Sequence, residues 1–185
     1  MAFPAQPQQP ALAAELLRRM AADQHARGVR EDGNQVPPDF ARMRALDAEN
    51  AAALRRIIGA HGWPGHSLVG TEAANAAWLI VQHAELDLQL RSLDLLASAV
   101  EQGEATRQQL ALLTDRVLMR QGKPQLYGTQ YRDLRDGHGY QLWEVADPED
   151  LDARRATVGL GPHSAYAAAL RDLFGHYGIG GPSAP

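Results

Sequence analysis

Residues 62–89 read GWPGHSLVGTEAANAAWLIVQHAELDLQ, and the second half of this stretch decides the fold. Ala73, Ala74, Ala76, Ala77, Trp78, Leu79, Ile80 and Val81 are apolar almost all round a helix. A helix without a polar face is buried among others, so the chain around it must supply packing partners on every side. Gln82 and His83 follow directly on this segment. Polar side chains at such a place need partners, because burying one unsatisfied costs on the order of 1–3 kcal/mol. The stretch therefore predicts a helical bundle with a polar centre at the end of its most apolar helix. Gly62, Pro64 and Gly65 break the chain ahead of it, and Thr71 with Glu72 starts the helix, which continues or kinks near Glu85.

The flanking segments supply amphipathic helices. Residues 11–27 carry Leu12, Leu16, Leu17, Met20 and Ala21 on one stripe, with Gly28 as the stop. A polar link over 29–36 leads to Pro38 and Asp39, which open a long helix to about residue 60. Residues 86–102 place Leu86, Leu90, Leu93, Leu96 and Val100 toward the core, and Gly103 ends them. Thr106 caps the next helix, which runs to about residue 121 and is closed by Gly122 and Pro124. The texture then changes. Residues 125–131 and 140–145 are rich in β-formers and flank the turn residues Asp136, Gly137, His138 and Gly139, which predicts a short hairpin within about 125–145. Helices over 148–158 and 163–175 follow. The expected fold is mainly α: a single-domain multi-helix bundle over residues 11–176 with a small β-hairpin in its C-terminal third. A Pro/Gln-rich leader over 1–10 reads as disordered and residues 177–185 as a flexible tail.

Composition narrows the function. A net charge of −4 gives no electrostatic footprint for nucleic acid or anionic membrane. There is no cysteine, which excludes disulfides, thiolate metal sites and a cysteine nucleophile. The N-terminus lacks the basic and apolar regions of a signal peptide, and no segment reaches the length of a membrane span, so a cytoplasmic location is expected. There is no P-loop, no Gly-x-Gly-x-x-Gly and no Gly-x-Ser-x-Gly elbow. Nucleotide hydrolysis, dinucleotide redox chemistry and α/β-hydrolase catalysis are poor fits.

His83 is the first choice for chemistry, since a free imidazole titrates near pH 6.5 and can move protons at neutral pH. Asp87, one turn on, or Asp115 would orient it, the base-and-orienter arrangement of many acid/base sites. Its structural counterpart is a core histidine satisfied by a carbonyl or by Asp115. Gln82, Gln125 and Gln130, with Tyr127 and Thr129, form a set of amides and hydroxyls suited to fixing a small polar ligand; the competing reading is a strand with a close-approach glycine. Asp23 with Arg27, and Asp115 with Arg116, read as inter-helix ion pairs, or else Arg27, Arg116 or Arg154 clamps a substrate anion. Asp47 and Asn50 share a helix face and read as packing or capping contacts. Asp23, Asp47, His83, Asp87 and Asp115 could together supply metal ligands. No second histidine stands at ligand spacing, so no metal and no cofactor is assigned.

Taken in order, these segments carry Asp23-Gln24 with Arg27, Gly62-Trp63-Pro64, Gln82-His83-Ala84, Asp115-Arg116, Gln125 with Tyr127-Gly128-Thr129-Gln130, and Arg154-Arg155 with Gly159-Leu160. Over roughly residues 16–166 the chain resembles a bacterial family of unknown function with that pattern. Glu85 stands where the family pattern has Asp after Gln-His-Ala. The resemblance reinforces the site map and implies no reaction. The expectation is a small cofactor-independent enzyme with His83-centred acid/base chemistry on a polar or anionic small molecule or peptide side chain. The competing expectations are a non-catalytic binding or interaction module with a buried structural network, and a carboxylate/His metal enzyme. The helix stripes admit either a monomer or a homodimer.

Overall fold

The computed structural model describes residues 6–30, 36–133, 140–173 and 179–180. It bears out the mainly helical fold with a small antiparallel hairpin in the C-terminal part. Within the described residues the helices are α1 (Pro10–Ala26), α2 (Phe40–His61), α3 (His66–Val69), α4 (Thr71–His83), α5 (Leu86–Glu101), α6 (Arg107–Arg120), α7 (Leu151–Thr157) and α8 (His163–Leu173). A 3₁₀ turn, Pro148–Asp150, precedes α7. The contacts divide the chain into two compact units, residues 1–106 and 107–185, where the sequence offered one domain without a boundary.

In the first unit α1, α2 and α4 pack on one another, and α5 packs on α4. Leu16, Leu54, Ile57, Ala76, Ala77, Val81 and Leu96 are fully buried. The alanines of α4 explain the arrangement: Ala73, Ala74, Ala76 and Ala77 are at most 3% exposed and let neighbouring backbones approach closely. Asp39 caps α2 by accepting from the Arg42 N–H at 2.9 Å. Gly62 ends α2 at φ +73°, a left-handed conformation that costs glycine nothing, with its N–H on Ile58 O. The short helix α3 was not expected; it sits in the Gly62–Gly70 connection. Glu104 holds its start, accepting from Ser67 N and Ser67 Oγ at 2.7 and 2.5 Å.

The break between α4 and α5 is what presents His83. Ala84 and Glu85 are extended, with ψ of 170° and 158°, so α4 stops at His83. Gln89, fully buried in the first turns of α5, reaches back and donates to Val81 O at 3.2 Å and Gln82 O at 3.0 Å. The last carbonyls of a helix have no internal partner, so this side chain satisfies them and fixes the corner.

In the second unit β1 (Tyr131–Asp133) pairs antiparallel with β2 (Tyr140–Leu142), and β3 (Ile179–Gly180) adds to β2 in parallel. The strands are shorter than the sequence predicted: residues 125–130 are an irregular loop, tied to the segment that follows the hairpin by an isolated bridge from Gln125 to Val145. The predicted tail contains a strand at Ile179–Gly180, and Gln8 and Gln9 of the predicted leader donate backbone hydrogen bonds to Ser67 O and Leu68 O. The hairpin turn at 136–139, most of the 29–36 link, the first five residues and the rest of the tail lie outside the described residues.

Replacing Gln89 by Leu keeps the volume and removes both donors. We expect a stability loss of about 1–3 kcal/mol, read as a lower urea midpoint at unchanged slope.

Candidate active site

Three helices of the first unit converge on one cluster. α1 contributes Asp23 and Gln24, with Arg27 at its C-terminal cap, α2 contributes Asp47, and α4 contributes His83. Asp23 is buried, and Arg27, one turn later, forks onto it with Nε–O distances of 3.0 and 3.1 Å and Nη2–Oδ1 of 3.0 Å. The same Arg27 Nη2 donates to Asp47 Oδ1 at 2.6 Å, so one guanidinium ties two carboxylates from two helices. Gln24 Nε2 donates to Asp23 Oδ2 at 3.0 Å. His83 Nδ1 stands 3.3 Å from that same oxygen. The contact lies off the axis of a hydrogen bond, and the nitrogen is itself fully buried. The His83 side chain as a whole is one-fifth exposed, so solvent reaches the ring from another side.

The two carboxylates of this cluster are driven in opposite directions. Burial alone would raise the Asp23 carboxyl, but the contacts with His83 and Arg27 outweigh it and hold it down at about 2. Burial raises Asp47 above its usual value, and the attraction of Arg27 does not fully offset it. One acceptor atom each from Asp23, Asp47 and His83 lie within 4.8 Å of one another, a spacing that a metal ion could bridge. Arg27 already supplies a positive charge there.

The sequence paired His83 with Asp87 or Asp115; the carboxylate beside the ring is Asp23. Asp87 lies on the surface at the start of α5 and is held, together with Glu85, by Arg55 of α2, with Arg55 Nη2 at 3.0 Å from both Asp87 oxygens. That guanidinium lowers the Asp87 carboxyl. Exposed pairs of this kind add little to stability. Gln82 is buried beside His83, and its carbonyl accepts from Gln89. Asp47 enters the cluster as more than the packing contact expected of it. The signal for it was its position in a helix that must pack on α1, which the sequence could not convert into an Arg27 contact twenty residues away.

The other named residues gather in the second unit, around the loop at 125–130. Asp115, fully buried on α6, accepts from Leu126 N at 2.8 Å, Tyr127 N at 3.0 Å, Thr129 N at 3.0 Å and Thr129 Oγ1 at 2.9 Å. Gln125 spans the loop, accepting from Gln130 N at 2.8 Å and donating to Gln130 O at 3.0 Å and Trp143 O at 2.9 Å. Gln130 Nε2 donates to Thr129 Oγ1. Arg154 donates to Leu126 O, Asp147 O and Ala146 O. Arg155, which the sequence left without a role, is buried, donates to Tyr127 O and Gly161 O at 2.6 Å, and lies over the Tyr166 ring. Gly128 sits among them at φ +64°, where a Cβ would come within 3.0 Å of His163 Cδ2. Arg116 is half-buried next to Asp115 on α6. The loop is thus a closed lattice in which Asp115, Gln125, Thr129, Gln130 and Arg154 bind the protein's own backbone and one another.

The fold and the two polar centres define a helical protein with an Asp–Arg–Asp–His cluster and a carboxylate-anchored loop. The chain belongs to a family of unknown function, DUF6624, whose profile matches residues 10–178. No curated protein and no solved structure matches it.

Two measurements test this geometry. Asp115→Asn puts an N–H₂ against backbone donors and should cost about 3 kcal/mol, read by urea denaturation. The Asp23 carboxyl is lowered from 3.8 to about 2, so its contribution is complete above pH 3.8 and is lost as pH falls toward 2. Asp23 should therefore contribute a drop of roughly 2 kcal/mol in wild-type stability across that interval, and the loss should be smaller by that amount in Asp23→Asn.

Proposed function

We propose that this protein is a small, cofactor-independent enzyme that uses His83 for proton transfer on a polar small molecule or peptide side chain. The observation that carries the reading is the Asp23–His83 contact: a buried carboxylate beside Nδ1 of a ring that solvent still reaches. A carboxylate at Nδ1 selects the tautomer with the proton on that nitrogen and leaves Nε2 as the acceptor. When Nε2 takes a proton from the substrate, Asp23 stabilises the resulting imidazolium, and the same nitrogen returns the proton to a leaving group or carbanion. Asp23 suits this role because His83 and Arg27 hold it ionised at any working pH. A 3.3 Å, poorly aligned contact is usual for such a pair without substrate, since these bonds tighten when the reacting group arrives.

In this reading Arg27 sets the dyad. It pins Asp23 to α1's own last turn and ties it to Asp47 on α2, so the carboxylate cannot swing away from the ring. Elimination, addition, isomerisation and hydrolysis all fit this set of groups. We place the protein in the cytoplasm of a bacterium, with a small molecule or peptide as its partner; no helix among the described residues is long and apolar enough to cross a membrane.

A second reading is favoured by one observation: Asp23, Asp47 and His83 are also spaced as metal ligands. It requires Arg27 to give way, because a cation bound there would meet the guanidinium between the same carboxylates. Elemental analysis of protein purified without chelator separates the two.

The acid/base reading is tested by incubating the protein with a bacterial metabolite extract and following it by mass spectrometry. A metabolite should be consumed by the wild type, and His83→Ala should fold normally and consume it at least a hundredfold more slowly, in line with the usual size of general acid–base contributions. Equal turnover by His83→Ala would remove the assignment.

A further inference from the structure

We propose that the group bound at this centre is a cationic nitrogen, a protonated amine or a guanidinium, held by Asp47 beside His83. The inference rests on the proposed acid/base reading and names the substrate class for the same site. It also reverses the charge that the sequence suggested, which was polar or anionic with an arginine as clamp.

The first argument is the charge count. Two carboxylates share one guanidinium, so the cluster carries a formal −1 whenever His83 is neutral. An anion brought there would face an uncompensated like charge a few ångströms away, which is unfavourable in any partly buried setting. The second argument is that the arginines offered as anion clamps are occupied. Arg27 is bound to Asp23 and Asp47, Arg154 donates to three backbone carbonyls, and Arg116 also has a partner. Around the first unit's helices, Arg19 and Arg56 share Glu15, and Arg55 holds Glu85 and Asp87.

The third argument is the open acceptors. Arg27 takes only Oδ1 of Asp47; Oδ2 accepts no hydrogen bond from the described residues, and the side chain is 28% exposed. His83 Nε2 likewise makes no hydrogen bond among the described residues. Two accessible acceptors beside a net negative charge call for a ligand with several N–H donors and a positive charge. Ammonium has three such donors and guanidinium five. With N–H···O distances near 2.9 Å, one nitrogen readily bridges acceptors separated by less than about 5 Å, and Asp23, Asp47 and His83 each place one ligand atom within 4.8 Å of the others. The raised Asp47 carboxyl agrees with a group whose compensation is incomplete until such a ligand arrives. Bound there, the cationic nitrogen or the carbon next to it lies against the base. His83 can then take a proton from the ammonium to free its lone pair, or from an adjacent C–H; the proton moves to Nε2 and the electron pair stays on the substrate.

The test uses the full chain with methylguanidinium, n-butylammonium, acetate, inorganic phosphate and manganese(II) as probes, followed by the His83 ring resonances in NMR. Both organic cations should shift the ring saturably, and Asp47→Asn should weaken them at least tenfold. Acetate and phosphate should leave the ring unmoved. Should Asp47→Asn fail to fold, a nuclear Overhauser contact between the methyl protons of methylguanidinium and the His83 ring in the wild type supports the proposal, and its absence at saturation overturns it. The proposal also falls if only the anions bind, if Asp47→Asn leaves cation affinity unchanged, or if manganese displaces the organic cations at equal concentration. His83→Gln, with cation binding read from the resonances of the methylguanidinium and n-butylammonium probes themselves, separates the two claims. Cation binding kept within a few-fold with turnover unaffected retires the acid/base reading and leaves this one standing; turnover lost with no cation binding in the wild type does the reverse.

Discussion

The first unit depends on one guanidinium. Arg27 leaves α1 at its last turn and divides its donors between Asp23, on its own helix, and Asp47, on the next. Without it, two partly buried carboxylates would face each other across the α1–α2 contact, and one would have to take up a proton or turn outward. With it, Asp23 stays charged and fixed in the position where the end of α4 delivers His83. A buried ion pair of this kind is weak evidence for stability, because desolvation offsets much of the attraction. Its consequence is placement: two helices are tied in register, and a permanent negative charge is set beside a titratable ring.

The second unit uses the same residue types for a different end. Asp115 is fully buried and accepts hydrogen bonds from three backbone N–H groups and a hydroxyl, while Arg154 and Arg155 take up backbone carbonyls of the same loop. Irregular backbone has donors and acceptors that no ladder satisfies, and each left bare inside a protein is costly. The lattice of Asp115, Gln125, Thr129, Gln130, Arg154 and Arg155 meets that need for residues 125–130. Satisfaction distinguishes the two centres. Among the described residues, no buried side-chain nitrogen or oxygen of the loop is left without a hydrogen-bond partner. In the helical cluster Asp47 and His83 keep accessible acceptors. That contrast favours the helical cluster as the site of chemistry and the loop as architecture.

The sequence picked out both centres in outline. Period and apolarity located the buried helix and the polar residues at its end, and glycine, proline and capping residues marked most helix boundaries. Partner choice was another matter. Asp87 is one turn from His83 in sequence, yet α4 ends at His83 and the chain turns through Ala84 and Glu85, so Asp87 begins a new helix and meets Arg55. The i,i+4 rule holds only within a continuous helix, and the break removes its premise. Residues 125–130 alternate like a strand, but the side chains of Asp115, Gln125, Arg154 and Arg155 reach their backbone first and hold it as a loop.

What the sequence determined alone was the set of locally encoded properties: mainly helical structure, a hairpin late in the chain, a buried alanine-rich helix, and a short roster of polar residues with reason to be partnered. These follow from side-chain size, periodicity and backbone preference, each acting within a few residues. The tertiary structure decided which carboxylate faces His83, that Arg27 joins Asp23 to Asp47, and that Asp115 organises a loop rather than a catalytic ring. Those outcomes depend on how separate helices approach one another. Pairing charges across tens of residues leaves no periodic trace in a single chain, because any buried carboxylate is chemically suited to any arginine that packing brings within reach.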